Sequence, residues 1–364
     1  MTVRKHPSAH RFMPTGGLEQ LPPLRMAVIG YGYWGPNLVR NVAERPELEL
    51  AGLCEPNPAR AAAFSQRFPG APVYPHLDDL LADTTIDAVL VATPPRTHHA
   101  IASAALRAGK HVLVEKPLAR TAAEASDLID IADRSGLVLM PGHTFLYSPP
   151  VNKIRQLIDE GALGEVYFVT SSRMNLGKYQ PDGVICDLAP HDISILLYLI
   201  GQPVVQVSAS ARSVFQQGCP EVAFITLTFA GDVTANVQIS WLAPRKVREM
   251  VIVGSKRMVQ YDDTAADESV RVFDRGIEFA EPANFGEHQL SYRSGDIVVP
   301  RVEAAEPLGL ELRDFARSIH TGARPRSHAE LGYEIVAVIE AAEESLRRQG
   351  EPVMLPGVTA QAAA

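Results

Sequence analysis

Three short segments carry residue types that can do chemistry when a fold brings them together. The first is Gly30-Tyr31-Gly32-Tyr33-Trp34-Gly35, a GxGxxG that directly follows the apolar run Met26–Ile29 and opens a helical stretch at Pro36–Glu44. In that context one glycine makes the tight turn, a second lets backbone N–H groups approach a pyrophosphate, and a third permits close helix–strand packing. The phosphates then rest on the positive end of the helix dipole. Glu55, in Leu53-Cys54-Glu55-Pro56, ends the second apolar run, at about the 20-residue spacing where a carboxylate accepts the ribose hydroxyls of NAD and repels the extra phosphate of NADP. The bland alternative is a surface glutamate at a strand end. Arg60 is close enough to soften the preference, which is for NAD over NADP.

The second segment is Glu115-Lys116-Pro117, which ends the apolar run His111–Val114. Ligands of open α/β sheets bind beyond the carboxyl ends of the strands, so an ammonium there can hydrogen-bond a reacting oxygen and stabilise charge that develops on it. A solvated surface lysine is the competing reading. The third segment is Cys186-Asp187-Leu188-Ala189-Pro190-His191-Asp192. Proline is tolerated in the first helical turn, which makes Asp187 the expected N-cap of a helix over Leu188–Ile200 and puts His191 one turn on. The dipole at that helix end would disfavour a protonated imidazole. Two readings stand side by side: a capping aspartate with a satisfied buried histidine, or a pair that handles a proton. A His/Asp metal site is a third and weaker one.

The elements that must position these segments fall into two sets. From residue 25 to about 146, short apolar strands alternate with helical stretches. Ile86–Ala92 (IDAVLVA) reads as a strand buried on both faces, and His98–Ala108 as a helix closed by Gly109. That alternation predicts a doubly wound parallel sheet of the Rossmann kind. After Pro149 come a helix (Val151–Glu160), a strand near Val166–Ser171 and the Asp187 helix. Strand-like runs follow at 204–212, 222–229, 234–241, 249–253 and 258–261, and helices near 308–320 and 329–348. Runs of strands rather than βα units predict an α+β domain with a large, mostly antiparallel sheet. The expected division is a disordered tail over 1–24, a dinucleotide-binding domain over 25–146 and a substrate and assembly domain over 147–356, with the terminal helices 308–348 packing back on the first domain.

Composition bounds the partners. With 364 residues, 46% hydrophobic and 21% charged, the chain has an ordinary globular balance and is long enough for two cores. Lys and Arg number 34 against 42 Asp and Glu, a net charge of −8, which argues against nucleic acid or an anionic membrane. Cys54, Cys186 and Cys219 are scattered and form no disulfide or zinc pattern, so a cytoplasmic setting is expected. No uninterrupted apolar run of the roughly 18 residues needed to span a bilayer is apparent.

Taken together the segments resemble the glucose–fructose oxidoreductase / inositol dehydrogenase / rhizopine-catabolism (Gfo/Idh/MocA) family over Arg25–Arg348. The resemblance rests on the glycine turn, on Thr93-Pro94-Pro95 with His98 and His99, on Glu115-Lys116-Pro117 and on Asp187 with His191. It implies that Lys116 is the catalytic lysine and that Pro117 follows a cis bond. It also implies that His191 is the general acid/base on the substrate hydroxyl, that Asp187 binds substrate or orients the site, and that no metal is needed. Thr93, Pro94 and His98 would flank the cofactor; Pro95, Glu115, Lys116 and His143 join them as cofactor candidates. The open face of the second sheet would build a homodimer or homotetramer. Ser172-Arg173-Met174-Asn175-Leu176-Gly177 and the Asp187–Asp192 stretch resemble the branch acting on nucleotide-linked amino sugars or sugar acids, although Cys186 stands where that branch has an aromatic residue. Arg173, Asn175 and Lys178 are therefore substrate candidates, as is Tyr147 between the domains. The expected activity is hydride transfer between NAD and a ring carbon of a sugar, with a cyclitol dehydrogenase or a non-catalytic NAD-binding regulator as rivals.

Overall fold

In the computed structural model, which describes residues 21–177, 179–180, 182–279 and 290–355, the alternating first half forms a six-stranded parallel sheet. Its strands are β1 (Leu24–Ile29), β2 (Leu48–Cys54), β3 (Val73–Tyr74), β4 (Ala88–Val91), β5 (His111–Glu115) and β6 (Leu139–Gly142). They lie in the order β3-β2-β1-β4-β5-β6. All four residues of β4 are buried, as a parallel strand covered on both faces requires. Helices α1 (Gly35–Ala43), α2 (Pro58–Arg67), α3 (Leu77–Ala82), α4 (His98–Arg107) and α5 (Ala122–Ser135) make the crossovers. The chain order reverses between β1 and β4, which opens a crevice at their carboxyl ends. Of the expected tail, residues 1–20 lie outside the described residues, whereas Leu24 is already the buried first residue of β1.

The second sheet has nine strands. Helix α6 (Pro149–Asp159) leads into β7 (Val166–Met174) and α7 (Gly183–Ile200), followed by β8 (Val204–Arg212), β9 (Val222–Phe229), β10 (Thr234–Ser240), β11 (Val247–Gly254) and β12 (Met258–Asp262). Then come β13 (Val270–Phe279), β14 (Leu290–Val298), α8 (Pro307–Thr321), α9 (Ala329–Arg347) and β15 (Val353–Met354), in the order β14-β13-β12-β11-β7-β10-β9-β8-β15. Among the described residues of this sheet, β7 and β10 alone pair in parallel. The β13–β14 hairpin has no counterpart in the sequence reading. It hangs off the sheet edge with Arg271, Arg275 and Tyr292 exposed, so most of it lacks the one-sided apolar alternation that marks a half-buried strand.

Helix α7 departs from expectation in a way that matters for the site. It begins at Gly183 after Asp182, not after Asp187, so Asp187 is an interior residue and Pro190 lies inside the helix. The cost of an interior proline, about 3 kcal/mol, is met by burial, since twelve of the eighteen residues are buried. Pro190 has no N–H for the Cys186 carbonyl, which loosens the helical ladder one residue before Asp187. By length and composition this helix could also cross a membrane, but 67% of it is buried inside the protein, as befits a core helix.

Helices α8 and α9 return to the parallel sheet. Arg313 Nε donates to Glu47 at 3.1 Å and Ser327 Oγ to the Pro141 carbonyl at 2.6 Å. A Cβ on Gly332 would meet Leu118 and Pro141 at 3.0 Å. One apolar cluster runs from Met26 and Leu113 through Ile193 to Ile225 and Ile335, so a continuous core fixes the two sheets and the crevice between them.

Candidate active site

The glycine turn is built for a ligand approaching from above the sheet. Gly30 has φ +96°, and a Cβ there would lie 2.9 Å from the Ala92 carbonyl oxygen and 3.0 Å from Thr93 Cγ2. A Cβ on Gly35 would collide with the Gly30 carbonyl, so this glycine serves the close packing of α1 on the turn. A Cβ on Gly32 would meet nothing within 4 Å. No neighbouring protein atom therefore requires glycine at that position, and the space it leaves open lies at the helix N-terminus where phosphates are stabilised. Glu55 is buried with Oε2 accepting the Tyr31 N–H at 2.8 Å and Oε1 the Asn57 N–H at 2.9 Å. Each oxygen keeps a lone pair for a hydroxyl, and the Arg60 guanidinium lies 3.8 Å from Oε2. Tyr31 packs its ring edge-on against Phe64, while Tyr33 is 88% exposed.

At the carboxyl ends of β4 and β5, His98 is fully buried. Its Nδ1 lies 2.7 Å from the Pro117 carbonyl and its Nε2 2.8 Å from the Thr93 carbonyl. Each ring nitrogen faces a carbonyl, and the neutral ring donates its one N–H to one of them, so His98 braces the wall of the crevice and turns no nitrogen into it. Thr93 accepts from Thr97 Oγ1 at 2.7 Å, and Pro95 opens a single 3-10 turn beside the exposed Pro94. The Lys116–Pro117 bond is cis. Lys116 Nζ donates to the Asp187 carbonyl at 2.7 Å and to its Oδ1 at 3.3 Å, leaving one of three ammonium hydrogens for a ligand. Asp187 Oδ2 in turn accepts from Trp241 Nε1 at 3.1 Å. The loosened turn of α7 thus presents a carbonyl and a carboxylate together to the lysine of the first sheet.

His191 follows Asp187 by one turn on the same helix and packs edge-on against Phe145, with 5.2 Å between ring centres. Its imidazole is held well below the ordinary histidine range, first by burial and then by Lys116, Arg173, His143 and Arg248. The expected dipole effect is not the reason, because His191 lies in the ninth position of α7, beyond the first turn where that field acts. Arg173 is 4% exposed and clasps Asp192, Nε to Oδ2 at 2.6 Å and Nη2 to Oδ1 at 3.3 Å, with its guanidinium 4.5 Å over the Phe145 ring. Ser171 Oγ also donates to Asp192 at 2.7 Å. Only Nη1 of Arg173 lacks a partner, so most of this substrate candidate's hydrogen-bonding capacity is committed to anchoring α7.

The other predicted residues divide clearly. Asn175 has a buried, partnerless Oδ1 close to Gly177, which itself abuts Trp241. Tyr147 is not brought to the site: its phenol is buried between α8 and the following loop, donating to Asp314 at 2.8 Å and accepting the Ser327 N–H at 3.1 Å. Lys178 lies outside the described residues. Glu115 Oε1 and both ring nitrogens of His143 are buried without hydrogen-bond partners. Trp34 Nε1 makes no hydrogen bond of good geometry but points its N–H toward the Glu115 carboxyl. Orphaned polar atoms at this edge fit a ligand that carries donors and acceptors, such as a nicotinamide carboxamide. Four residues were not foreseen as part of the site, Trp241, Phe145, Arg248 and Glu311; only Trp241, ending the strand-like run 234–241 just past β10, had a position that could have flagged it. Among the described residues, no group of three or more His, Cys, Asp or Glu is arranged to hold a metal ion.

Comparison with known proteins bears on this geometry directly. Residues 24–143 match the model of an oxidoreductase family with an NAD-binding Rossmann fold, and residues 151–260 match the GFO/IDH/MocA C-terminal domain. The chain belongs to the GFO/IDH/MocA oxidoreductase family. It is 29% identical over 232 residues to 1-carboxy-3-chloro-3,4-dihydroxycyclohexa-1,5-diene dehydrogenase of Comamonas testosteroni, a match covering 60% of this chain and 58% of that protein. It is 26% identical over 225 residues to an inositol 2-dehydrogenase of Corynebacterium glutamicum, covering 60% and 67%. With UDP-N-acetylglucosamine 3-dehydrogenase of Acidithiobacillus ferrooxidans it shares 31% identity over 258 residues, covering 70% and 78%. The solved structure of that last enzyme superposes with a TM-score of 0.74 at 26% identity, covering 89% of this chain and 98% of that one.

Proposed function

We propose that this GFO/IDH/MocA member catalyses reversible oxidation of a ring CH–OH on a nucleotide-linked sugar, with NAD preferred over NADP. The observation that carries the reading is the Lys116–Asp187 contact, which joins the edge of the dinucleotide-binding sheet to the helix bearing His191. The Gly30–Gly35 turn, Glu55, Thr93, Glu115 and His143 would hold the cofactor, which when bound accepts or donates the hydride. His191, neutral at pH 7, takes the hydroxyl proton on oxidation and returns it on reduction. The free hydrogen of Lys116 holds the reacting oxygen, and Asp187 fixes the lysine while Trp241 fixes Asp187. Asn175 and the remaining Nη1 of Arg173 are the substrate contacts among the described residues.

The likeness to UDP-N-acetylglucosamine 3-dehydrogenase and the Ser172–Gly177 wording support the nucleotide-sugar substrate. A cyclitol is the second reading, favoured by the inositol 2-dehydrogenase relative and by Cys186, which packs its thiol 3.3 Å from Glu343 where the nucleotide-sugar branch has an aromatic side chain. Assembly as a dimer or tetramer through the open face of the second sheet, where Phe168 and Phe224 are exposed, is part of the same proposal. Absorbance at 340 nm with a panel of UDP-sugars and inositols, each with NAD and NADP, tests it. Turnover of a UDP-sugar with NAD is the expected result, and turnover of inositols alone would replace the first reading with the second.

A further inference from the structure

Beneath the edge that carries Lys116, two of the cofactor candidates, Glu115 and His143, form a polar cluster with a carboxyl from α8, and the proton transfer described above uses none of the three. Glu115 pairs in register with Gly142, and a Cβ on that glycine would sit 3.3 Å from Glu115 Oε2, so the carboxyl lies against the end of β6. Two residues on, Thr144 donates to Glu311 Oε2 at 2.8 Å. Glu311 comes from α8, is 0% exposed, and leaves Oε1 without a partner, as Glu115 does. Between those two contacts in the chain stands His143, 1% exposed with neither ring nitrogen bonded. Both carboxyls thus reach the short segment 142–144 away from water, where each disfavours ionisation of the other and the two together favour keeping a proton.

We propose that the Glu115–Glu311 pair is a redox-sensing proton site, holding a proton in the free enzyme and releasing it when the oxidised cofactor binds but not when the reduced one does. This rests on the cofactor reading given above. The strand order supplies the geometry. With the pyrophosphate at the β1–α1 turn and the adenosine ribose at Glu55 on the β2 side, the nicotinamide half extends the other way, across β4 toward β5 and β6. The oxidised ring is cationic and the reduced ring neutral, so only the former stabilises an ionised carboxylate beside it. One O–H bond breaks on Glu115, its electron pair stays on the carboxylate, and the proton passes to solvent.

The surrounding groups leave Glu115 poised near neutrality. Burial raises the Glu115 carboxyl to about 7, with Lys116 and the Trp34 indole opposing the rise. Glu311 is raised further, by burial, by Glu115 and by Asp314, against the Thr144 hydrogen bond. His143 is held neutral, at about 3, by burial and Lys116, and so contributes no charge in this range.

The test is calorimetric titration of the full-length protein with NAD+ and, separately, NADH between pH 6 and 8. The expected result is a ratio of NADH to NAD+ dissociation constants that rises about three- to tenfold over that range, one linked proton giving at most tenfold per pH unit. Proton release should accompany NAD+ alone, seen as a dependence of the heat on buffer ionisation, and Glu115→Gln should flatten the ratio. Parallel pH dependence of the two forms in the wild-type protein overturns the proposal whether or not the variant folds, as does an unflattened ratio in Glu115→Gln. Failure of both cofactor forms to bind is a separate outcome that would remove the cofactor reading itself.

Discussion

The two walls of the crevice handle buried polarity in opposite ways. On the second-sheet side, Arg173, Asp192 and Ser171 interlock, and Arg248 and Tyr261 both bind Asp263 at 2.8 and 3.0 Å. On the parallel-sheet side, Glu115, His143 and Glu311 leave four buried atoms without partners. The interlocked cluster is a scaffold: apart from Arg173 Nη1 its groups satisfy one another and hold α7 in place. An unpaired cluster is costly unless something else satisfies it, by about 1–3 kcal/mol per group, and so marks where a ligand or a proton belongs. The difference separates the residues that position from those that respond.

The largest expected effect breaks the scaffold side. Asp192→Ala leaves the Arg173 guanidinium buried and unpaired, and should lower stability by about 3–5 kcal/mol in urea unfolding. Glu311→Gln on the other wall removes a group that is already neutral in the fold, and should change stability by less than about 1 kcal/mol. Equal losses would erase the distinction between the walls.

A smaller effect sharpens it through pH. His143 is depressed to about 3 in the fold, so on acidification from pH 6.5 the unfolded chain binds a proton that the folded one refuses, and stability falls. Glu115 is raised to about 7, so the folded chain holds a proton that the unfolded one loses, and stability falls as pH rises from about 4.5 to 7. The two trends oppose each other between pH 4.5 and 6.5. His143→Gln should therefore remove up to about 1.4 kcal/mol per pH unit of acid destabilisation below pH 6, read from unfolding midpoints at pH 4, 5 and 6. An unchanged slope would show that His143 already titrates normally. Smallest of all, Arg60→Ala, at an exposed side chain 3.8 Å from Glu55, should leave NAD binding within about twofold and weaken NADP several-fold. Equal effects on both would detach Arg60 from cofactor choice.

Much of the first sheet was legible because its signals are local. The glycine turn sits between a strand and a helix in sequence as in space, and IDAVLVA needs only its own composition to read as a buried strand. Lys116 and His191 stood out by residue type at a strand end and on a helix. What joins them did not: the lysine docks on a carbonyl of Asp187, 71 residues away, in a helix whose start was misplaced because Pro190 was expected only in a first turn. Tertiary burial overrode that rule. Tyr147 was misread for the same reason, since the partners that bury its hydroxyl come from Asp314 and Ser327. Glu311, 196 residues beyond Glu115, carries no local mark at all on an ordinary amphipathic helix.

In the proposed reaction Lys116 acts on the reacting oxygen and not in holding the cofactor. Paired measurement of NAD affinity and of turnover in Lys116→Met tests it most directly. A dissociation constant within a few-fold of wild type and a turnover lowered by about 10²-fold or more are expected. Unchanged turnover, or a loss explained wholly by weaker NAD binding, would contradict it.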